Sequence, residues 1–476
     1  MERRLLRLLN DCRRTLNPLQ LRSLHAHIFR NDLHQSNLLL SHFVSICGVL
    51  GHIRYSHLVF QHCSNPNILL FNSVIKSHSL SREPSIDSVR VYGRMRTQGV
   101  FPDRFTFAPL LKSCSKLSDS SLGCEIHAAT IVTGFESHSS VQIGLLEFYC
   151  AFDKNRISDA QKVFDEMSKD TIIASNLMIS GLCRHGDLET AHKVFRGMSE
   201  PNVVTWNTMI KGFAVCRGQH DTKALSFFRE MWDLGLEPDD ATLVTVLPVC
   251  ARLGALDIGR LIHLYADQKG FIDNPKTTHV GNSIIDMYNK CGDLQNAAIV
   301  FDKLPKKNLV SWNVMISGLG FHGKGEACLD IFERMKKHGT LPNFMTYTGL
   351  LGCCARVGLV QRGLNFFDSM VNEHGIEPRI EHYGCIVDLL GRDGRVEEAF
   401  DLIKQMPIDA TPAIWGALLS ASRIHNKVDI AEHAAKQLVD AEQWNSEIGR
   451  WDDVEKVRLM MMKNNIIKSA GQSLSK

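Results

Sequence analysis

Residues 309–343 read LVSWNVMISGLGFHGKGEACLDIFERMKKHGTLPN, and the fold class follows from how this stretch must behave. Val310, Val314, Met315 and Leu319 recur at helical spacing in its first half, and Ala327, Ile331, Phe332 and Met335 do so in its second. Two helices are expected. Gly323 and Gly325 separate them, Gly339 supplies a left-handed cap for the second, and Pro342 prevents its continuation. A helix pair this small cannot bury its own apolar faces, so it must stack against copies of itself.

Such copies fill most of the chain, in three kinds. Residues 68–103 and 203–239 share with 309–343 an F-N or W-N pair near the start and P-D or P-N at the end. A second kind carries a cysteine followed 13 residues later by a histidine: Cys114 and His127, Cys250 and His263, and at the N-terminus Cys12 and His25. Residues 344–379 keep Cys354 but have Asn365 and Phe367 where the histidine is sought. The third kind is shorter, with a central tyrosine and an alanine-rich second helix, as in MYNKCGDLQNAAIVFDKLPKKN within 278–308; residues 37–67, 139–170, 172–202 and 380–410 are its companions. Strand-like alternation is missing from long runs of this array, so the class is all-α.

A chain of 476 residues would on length alone suggest roughly three domains, but repetition argues for one elongated solenoid. With 44% hydrophobic and 22% charged residues it is too apolar for disorder. A net charge of +3 permits a polyanionic partner without requiring one. The fourteen cysteines form no C-x-x-C pairs and fall among apolar neighbours, which suits reduced thiols. The most apolar run, residues 38–50, is interrupted by Ser41, His42 and Ser45 and is too short to span a bilayer, so no membrane partner is expected. The first 22 residues hold Arg3, Arg4, Arg7, Arg13, Arg14 and Arg22 against only Glu2 and Asp11. That pattern fits an organellar import sequence, and equally a first repeat helix with a solvated basic face.

The alternation of units of roughly 35, 36 and 31 residues, with WN…MI…G, C…G…H and MY.KCG signatures, resembles the plant pentatricopeptide repeat family, in particular its subclass of alternating standard (P), long (L) and short (S) repeats. The resemblance covers about residues 5 to 460. It implies a right-handed α-solenoid superhelix of stacked helix-turn-helix repeats. Residues 1–36 are then a partial long repeat with targeting character, 37–410 the P, L and S array, and 411–476 an E-type extension. The implied function is sequence-specific binding of single-stranded RNA in an organelle, to select a cytidine for editing to uridine. The implied location is the mitochondrion, with the plastid as the alternative.

In this family each unit reads one base with two or three side chains. By resemblance the readers are the fifth and last residues of each unit. Asn72 with Asp103, and Asn207 with Asp239, then match uracil. Asn176 with Asn202, Asn282 with Asn308, and Asn313 with Asn343 resemble pyrimidine readers, and Ser41 with Asn67 an adenine reader. The pairs Ala108 and His138, Ile143 and Asp170, Val244 and Thr277, and Thr348 and Arg379 match no base. The second residue of each unit, Leu69, Val204 and Val310 among them, is expected by the same analogy to lie against the base face. The competing roles are interhelix packing for these apolar residues and helix capping for the asparagines.

Three further motifs are read as structural. GLGFHG at 318–323 matches a dinucleotide-binding fingerprint, but no strand precedes it and no βαβ unit surrounds it. The Cys and His pairs offer two zinc ligands per unit, on different helices, without a second pair. No metal or other cofactor is expected. A cytidine deaminase requires H-x-E and P-C-x-x-C, and neither occurs in the sequence. The chain is therefore not expected to be an enzyme, and a DYW-type deaminase protein would have to act in trans.

Residues 413–442, AIWGALLSASRIHNKVDIAEHAAKQLVDAE, resemble the extension that follows the repeats in editing factors, but Asn445 and Ser446 run almost directly into Gly449, Arg450 and Trp451, as if about one helix were deleted. The lost helix should leave the apolar faces of 430–438 and 454–461 incompletely covered. Two other functions fit the same architecture: an organellar RNA stabilisation, processing or splicing factor without editing, and a protein-binding scaffold of the tetratricopeptide type.

Overall fold

The computed structural model describes residues 2–15, 18–81, 83–152, 154–167, 171–216 and 218–447. Among these are 26 α-helices, two short 3₁₀ segments and no strand. The chain divides into two compact units, Met1–Val246 and Leu247–Lys476.

In the first unit Glu2–Thr15 pairs with Pro18–Arg30, and the series continues as Asn37–Val49 with Ile53–Gln61, Ile68–Ser79 with Asp87–Thr97, Arg104–Leu117 with Ser120–Val132, Ser139–Cys150 with Lys154–Glu166, Ile172–Arg184 with Leu188–Arg196, and Val203–Val215 with Asp221–Asp233. Each first helix also packs on the first helix of the next pair. The basic N-terminal segment joins this array, with Leu5, Leu9 and Cys12 buried. The second unit repeats the plan through Thr278–Cys291 with Leu294–Lys303, Leu309–Phe321 with Gly325–Lys337, Phe344–Val357 with Val360–Asn372, Ile380–Arg392 with Val396–Gln405, and Pro412–Ile424 with Val428–Glu447.

The stretch 309–343 folds at the punctuation its sequence carries. Helix Leu309–Phe321 is capped by His322, Gly323 takes φ +65°, and after Gly325–Lys337 the chain turns at Gly339, φ +74°. Two residues assigned by periodicity to the stacking faces are not there. Ala327 is exposed and Cys328 is buried in its stead, because a helix starting at Gly325 brings Cys328, Ile331, Phe332 and Met335 to one face. Val310 projects outward and is 54% exposed.

The aromatic residues that precede Asn72, Asn207 and Asn313 anchor the core. Phe71, Trp206 and Trp312 meet Phe60, Phe195 and Phe301 of the preceding pair edge-to-face, at centroid distances of 5.3, 4.7 and 5.1 Å. This fixes the rotation of each first helix, and hence where its next residue points. Gly318 has a packing role: a Cβ there would lie 2.1 Å from the side chain of Asn289, whose amide donates to the Val314 carbonyl at 3.0 Å. GLGFHG therefore belongs to a helix, its cap and its turn.

At the C-terminal end Ala434 and Leu438 are buried, and Ile430 packs on the core around Leu418 and Ala421. Pro412–Ile424 packs on Val428–Glu447, with Ala434 and Leu438 buried and Ile430 partly exposed. Residues 454–461 lie outside the described residues. No helix among the described residues is long and apolar enough to cross a membrane.

Candidate functional site

The site is built where the second turn of one first helix meets the start of the next. The last residue of a unit is the N-cap of the following helix. Asn67, Asp103, Asn202, Asn308 and Asn343 each accept a backbone N–H of that helix's first turn, and Asp239 accepts the Thr242 N–H at 2.8 Å. The capping role considered for the fifth-residue asparagines falls instead to these terminal residues. Asn72, Asn176, Asn207, Asn282 and Asn313 lie inside their helices, free to use their amides otherwise.

In the standard units the two positions are joined. The Asn72 amide donates to Asp103 Oδ1 at 2.9 Å, Asn207 to Asp239 Oδ1 at 2.9 Å, and Asn313 to Asn343 Oδ1 at 3.0 Å. A third residue, unrecognised in the sequence, completes each set. Thr106, Thr242 and Thr346 donate their hydroxyls to the Oδ1 of Asn72, Asn207 and Asn313 at 2.7, 2.7 and 2.6 Å, and accept the N–H of the cap residue at 3.0, 3.1 and 3.1 Å. The signal was present as D-x-x-T or N-x-x-T, the spacing of a capping box.

These bonds decide what is left over. One oxygen of the cap residue is saturated, so Asp103 and Asp239 keep Oδ2, and Asn343 keeps Nδ2, without a partner among the described residues. Asn72, Asn207 and Asn313 each keep one N–H. Burial alone would raise the Asp239 carboxyl, but donation from the Thr242 backbone and hydroxyl and from the Asn207 amide outweighs it and holds the group below the usual carboxylate range. The outward atoms are a donor beside an acceptor in the Asp units, and a donor beside a donor in the Asn unit.

The short units are looser. Asn282 donates to Asn308 Oδ1 at 3.3 Å, but its own Oδ1 is buried without a partner. Asn176 is not bonded to Asn202, and its Oδ1 is likewise buried and unpartnered, while Asn202 caps Thr205. Ser41 is buried and donates to the Leu38 carbonyl at 2.8 Å; it does not meet Asn67, which is exposed and caps Leu70. Of the unassigned pairs, Arg379 lies over the Phe344 ring at 3.6 Å while Thr348 donates to the Phe344 carbonyl, and His138 approaches Arg104 at 3.1 Å. Asp170 lies outside the described residues.

The second-position residues stand out from the same helix starts. Leu69, Val204 and Val310 are 44%, 56% and 54% exposed, and Leu38, Phe105, Ile173 and Met345 are exposed likewise. Interhelix packing therefore does not account for them. They occupy the second position of seven first helices, whereas Ser140, His279 and Glu381 stand there in the helices starting at Ser139, Thr278 and Ile380.

The cysteine and histidine pairs resolve differently. Cys12, Cys114 and Cys250 are buried, and burial pushes the Cys114 and Cys250 thiols up to about 12. His25, His127 and His263 meet the hydroxyls of Tyr55, Tyr149 and Tyr288 at 2.5, 2.6 and 2.9 Å, and burial holds all three below the usual imidazole range. They tie the long units to the central tyrosines of the short ones. Among the described residues no group of three or more His, Cys, Asp or Glu could hold a metal ion.

Family models described as PPR repeat family match residues 201–252 and 307–356, and models described as PPR repeat match 176–199, 282–309, 345–374 and 381–408. The Arabidopsis thaliana pentatricopeptide repeat-containing protein At1g09190 is 46% identical over 99% of this chain and 98% of its own. The putative chloroplastic pentatricopeptide repeat-containing protein At5g59200, also from Arabidopsis thaliana, is 36% identical over 98% of this chain and 86% of its own. The solved structure of the pentatricopeptide repeat protein PPR10 in complex with an 18-nucleotide psaJ RNA element superposes with a TM-score of 0.59 at 16% identity, covering 88% of this chain and 66% of that one.

Proposed function

We propose that this chain, which belongs to the pentatricopeptide repeat family, binds single-stranded RNA sequence-specifically, one base per helix pair. The observation that carries the proposal is the recurring set of a fifth-residue asparagine bonded to the next helix's N-cap, with an exposed apolar residue beside it. A donor and an acceptor held in register fit a base edge, and an unpaired strand alone offers that edge. Peptide grooves have no reason to repeat the pairing. Support comes also from PPR10, a protein of the same fold bound to RNA.

The finer reading is a specificity subunit for C-to-U editing in an organelle. Residues 37–410 grip the transcript, and the extension 411–476 recruits a DYW-type deaminase and other editing factors. The helix pair Pro412–Ile424 and Val428–Glu447 supports a folded extension at least that far. Two relatives are described as chloroplastic, which favours an organelle; the mitochondrion, first choice on the sequence, competes with the plastid. Sequencing organellar transcripts from a line lacking the protein tests this. Loss of one or a few C-to-U events is the expected result, and intact editing everywhere would assign the chain to RNA stabilisation, processing or splicing instead.

A further inference from the structure

The three standard units and the two short units with asparagines offer an internal comparison. In the standard units a ring of directional bonds closes: the N-cap N–H donates to the threonine hydroxyl, the hydroxyl to the asparagine Oδ1, and the asparagine Nδ2 to the cap Oδ1. The hydroxyl has one proton and two acceptors within reach, the cap Oδ1 at 3.1, 2.8 and 3.1 Å and the asparagine Oδ1 at 2.7, 2.7 and 2.6 Å, and the asparagine is the nearer in all three units. In the short units Thr205 and Ser311 occupy the same third position with the same hydroxyl. There each contacts only its own cap residue, Asn202 or Asn308, at 3.1 Å. Asn176 Oδ1 and Asn282 Oδ1 are the orphaned atoms that result.

An amide presents nearly the same shape after a half-turn about its last bond, but it exchanges donor for acceptor. A reader left free to turn discriminates bases poorly. We propose that Thr106, Thr242 and Thr346 are specificity-determining positioning residues, which fix the amides of Asn72, Asn207 and Asn313 with the N–H outward. The chain then holds two grades of reader. Standard units are locked and selective, and short units are unlocked and tolerant. This rests on the RNA-binding proposal above, because it concerns how the same asparagines present themselves.

The test uses the full chain and a pool of random-sequence single-stranded RNA oligonucleotides, followed by single-base variants of the selected sequence. Asn207→Ala first locates the base facing that unit. Thr242→Val should then lower the preference ratio at that base by about 5- to 10-fold, the worth of roughly one net hydrogen bond, and leave the other positions alone. Thr242→Ser should restore the ratio. Thr205→Val removes a hydroxyl equally buried and equally next to a cap, and should leave every ratio unchanged. Thr106→Val and Thr346→Val carry the same expectation at the bases facing Asn72 and Asn313, so a fold defect at one site does not remove the test. An unchanged ratio in Thr242→Val, or a loss spread evenly over all positions, overturns the positioning role. If Asn207→Ala itself alters no base preference, or no sequence is selected, it is the RNA-reading proposal that fails.

Discussion

Replacing Asp239 by Asn should move one base of the bound RNA from uracil towards cytosine. Asp239 Oδ1 already accepts the Asn207 amide at 2.9 Å and the Thr242 N–H at 2.8 Å. An asparagine there must keep its oxygen on those donors, because its NH₂ cannot accept them. Its Nδ2 is therefore forced to the position where the carboxylate had Oδ2. The outward pattern changes from donor beside acceptor to donor beside donor. Uracil offers no two adjacent acceptors on its Watson–Crick edge, since its N3–H lies between its carbonyls, whereas cytosine offers N3 and O2.

Asn and Asp are nearly equivalent as N-caps, so the fold should lose no more than about 0.5 kcal/mol. The base contact should change by roughly 1–3 kcal/mol, which is about a 5- to 150-fold swing in the uracil-to-cytosine ratio. Anisotropy titrations of the full chain with labelled oligonucleotides differing at that one base measure it. A ratio that stays put, with melting unchanged, would show that the Asp239 carboxylate does not face the base. An equal loss for all four bases would indicate damage to the fold instead.

The second-position residues predict a different signature: Val204→Ala and Val310→Ala remove exposed side chains at helix starts, so melting should hold while affinity falls by a few-fold for every RNA sequence. A base-dependent loss in the same titrations would argue against a stacking role. Gly318→Ala should destabilise by roughly 1–3 kcal/mol, because the added methyl must displace the buried Asn289 amide; an unchanged denaturation midpoint would refute the close approach. Stability should also fall with acid. His78, buried beside His57, is held at about 4 by burial and by that second imidazole, with Asp87 pulling the other way, against 6.5 when free. Between those values the unfolded chain binds the extra proton, so this contribution is present above about 6.5 and is lost as the pH falls towards 4. The full effect is at most about 3 kcal/mol. Urea midpoints at pH 7.5 and 5 check it, and His78→Gln should flatten the profile.

How much of this could be read from sequence depends on the range of the interaction. Helix pairs were legible because their punctuation is local: Gly323, Gly339 and Pro342 act within a residue or two of their own backbone. The partnership of Asn207 with Asp239 was legible only through resemblance, since the pair is about one unit apart and meets because Trp206 sets the rotation of its helix against Phe195. Periodicity misplaced Ala327 for a smaller reason, a one-residue error in where the second helix starts.

The threonine link shows why identical letters differ in consequence. Thr205 and Thr242 each follow a cap residue by three positions, yet only Thr242 reaches the asparagine of the preceding unit. What differs is the unit behind them. Asn207 and Asp239, behind Thr242, are separated by 32 residues, whereas Asn176 and Asn202, behind Thr205, are separated by 26. The hydroxyl reaches the asparagine where the pair is 30 to 32 residues apart and not where it is 26 apart, so unit length, which no single-residue pattern records, goes with the contact. In the alternating array, the spacing of the repeats is itself part of the code by which the chain discriminates bases, if the threonines act as proposed.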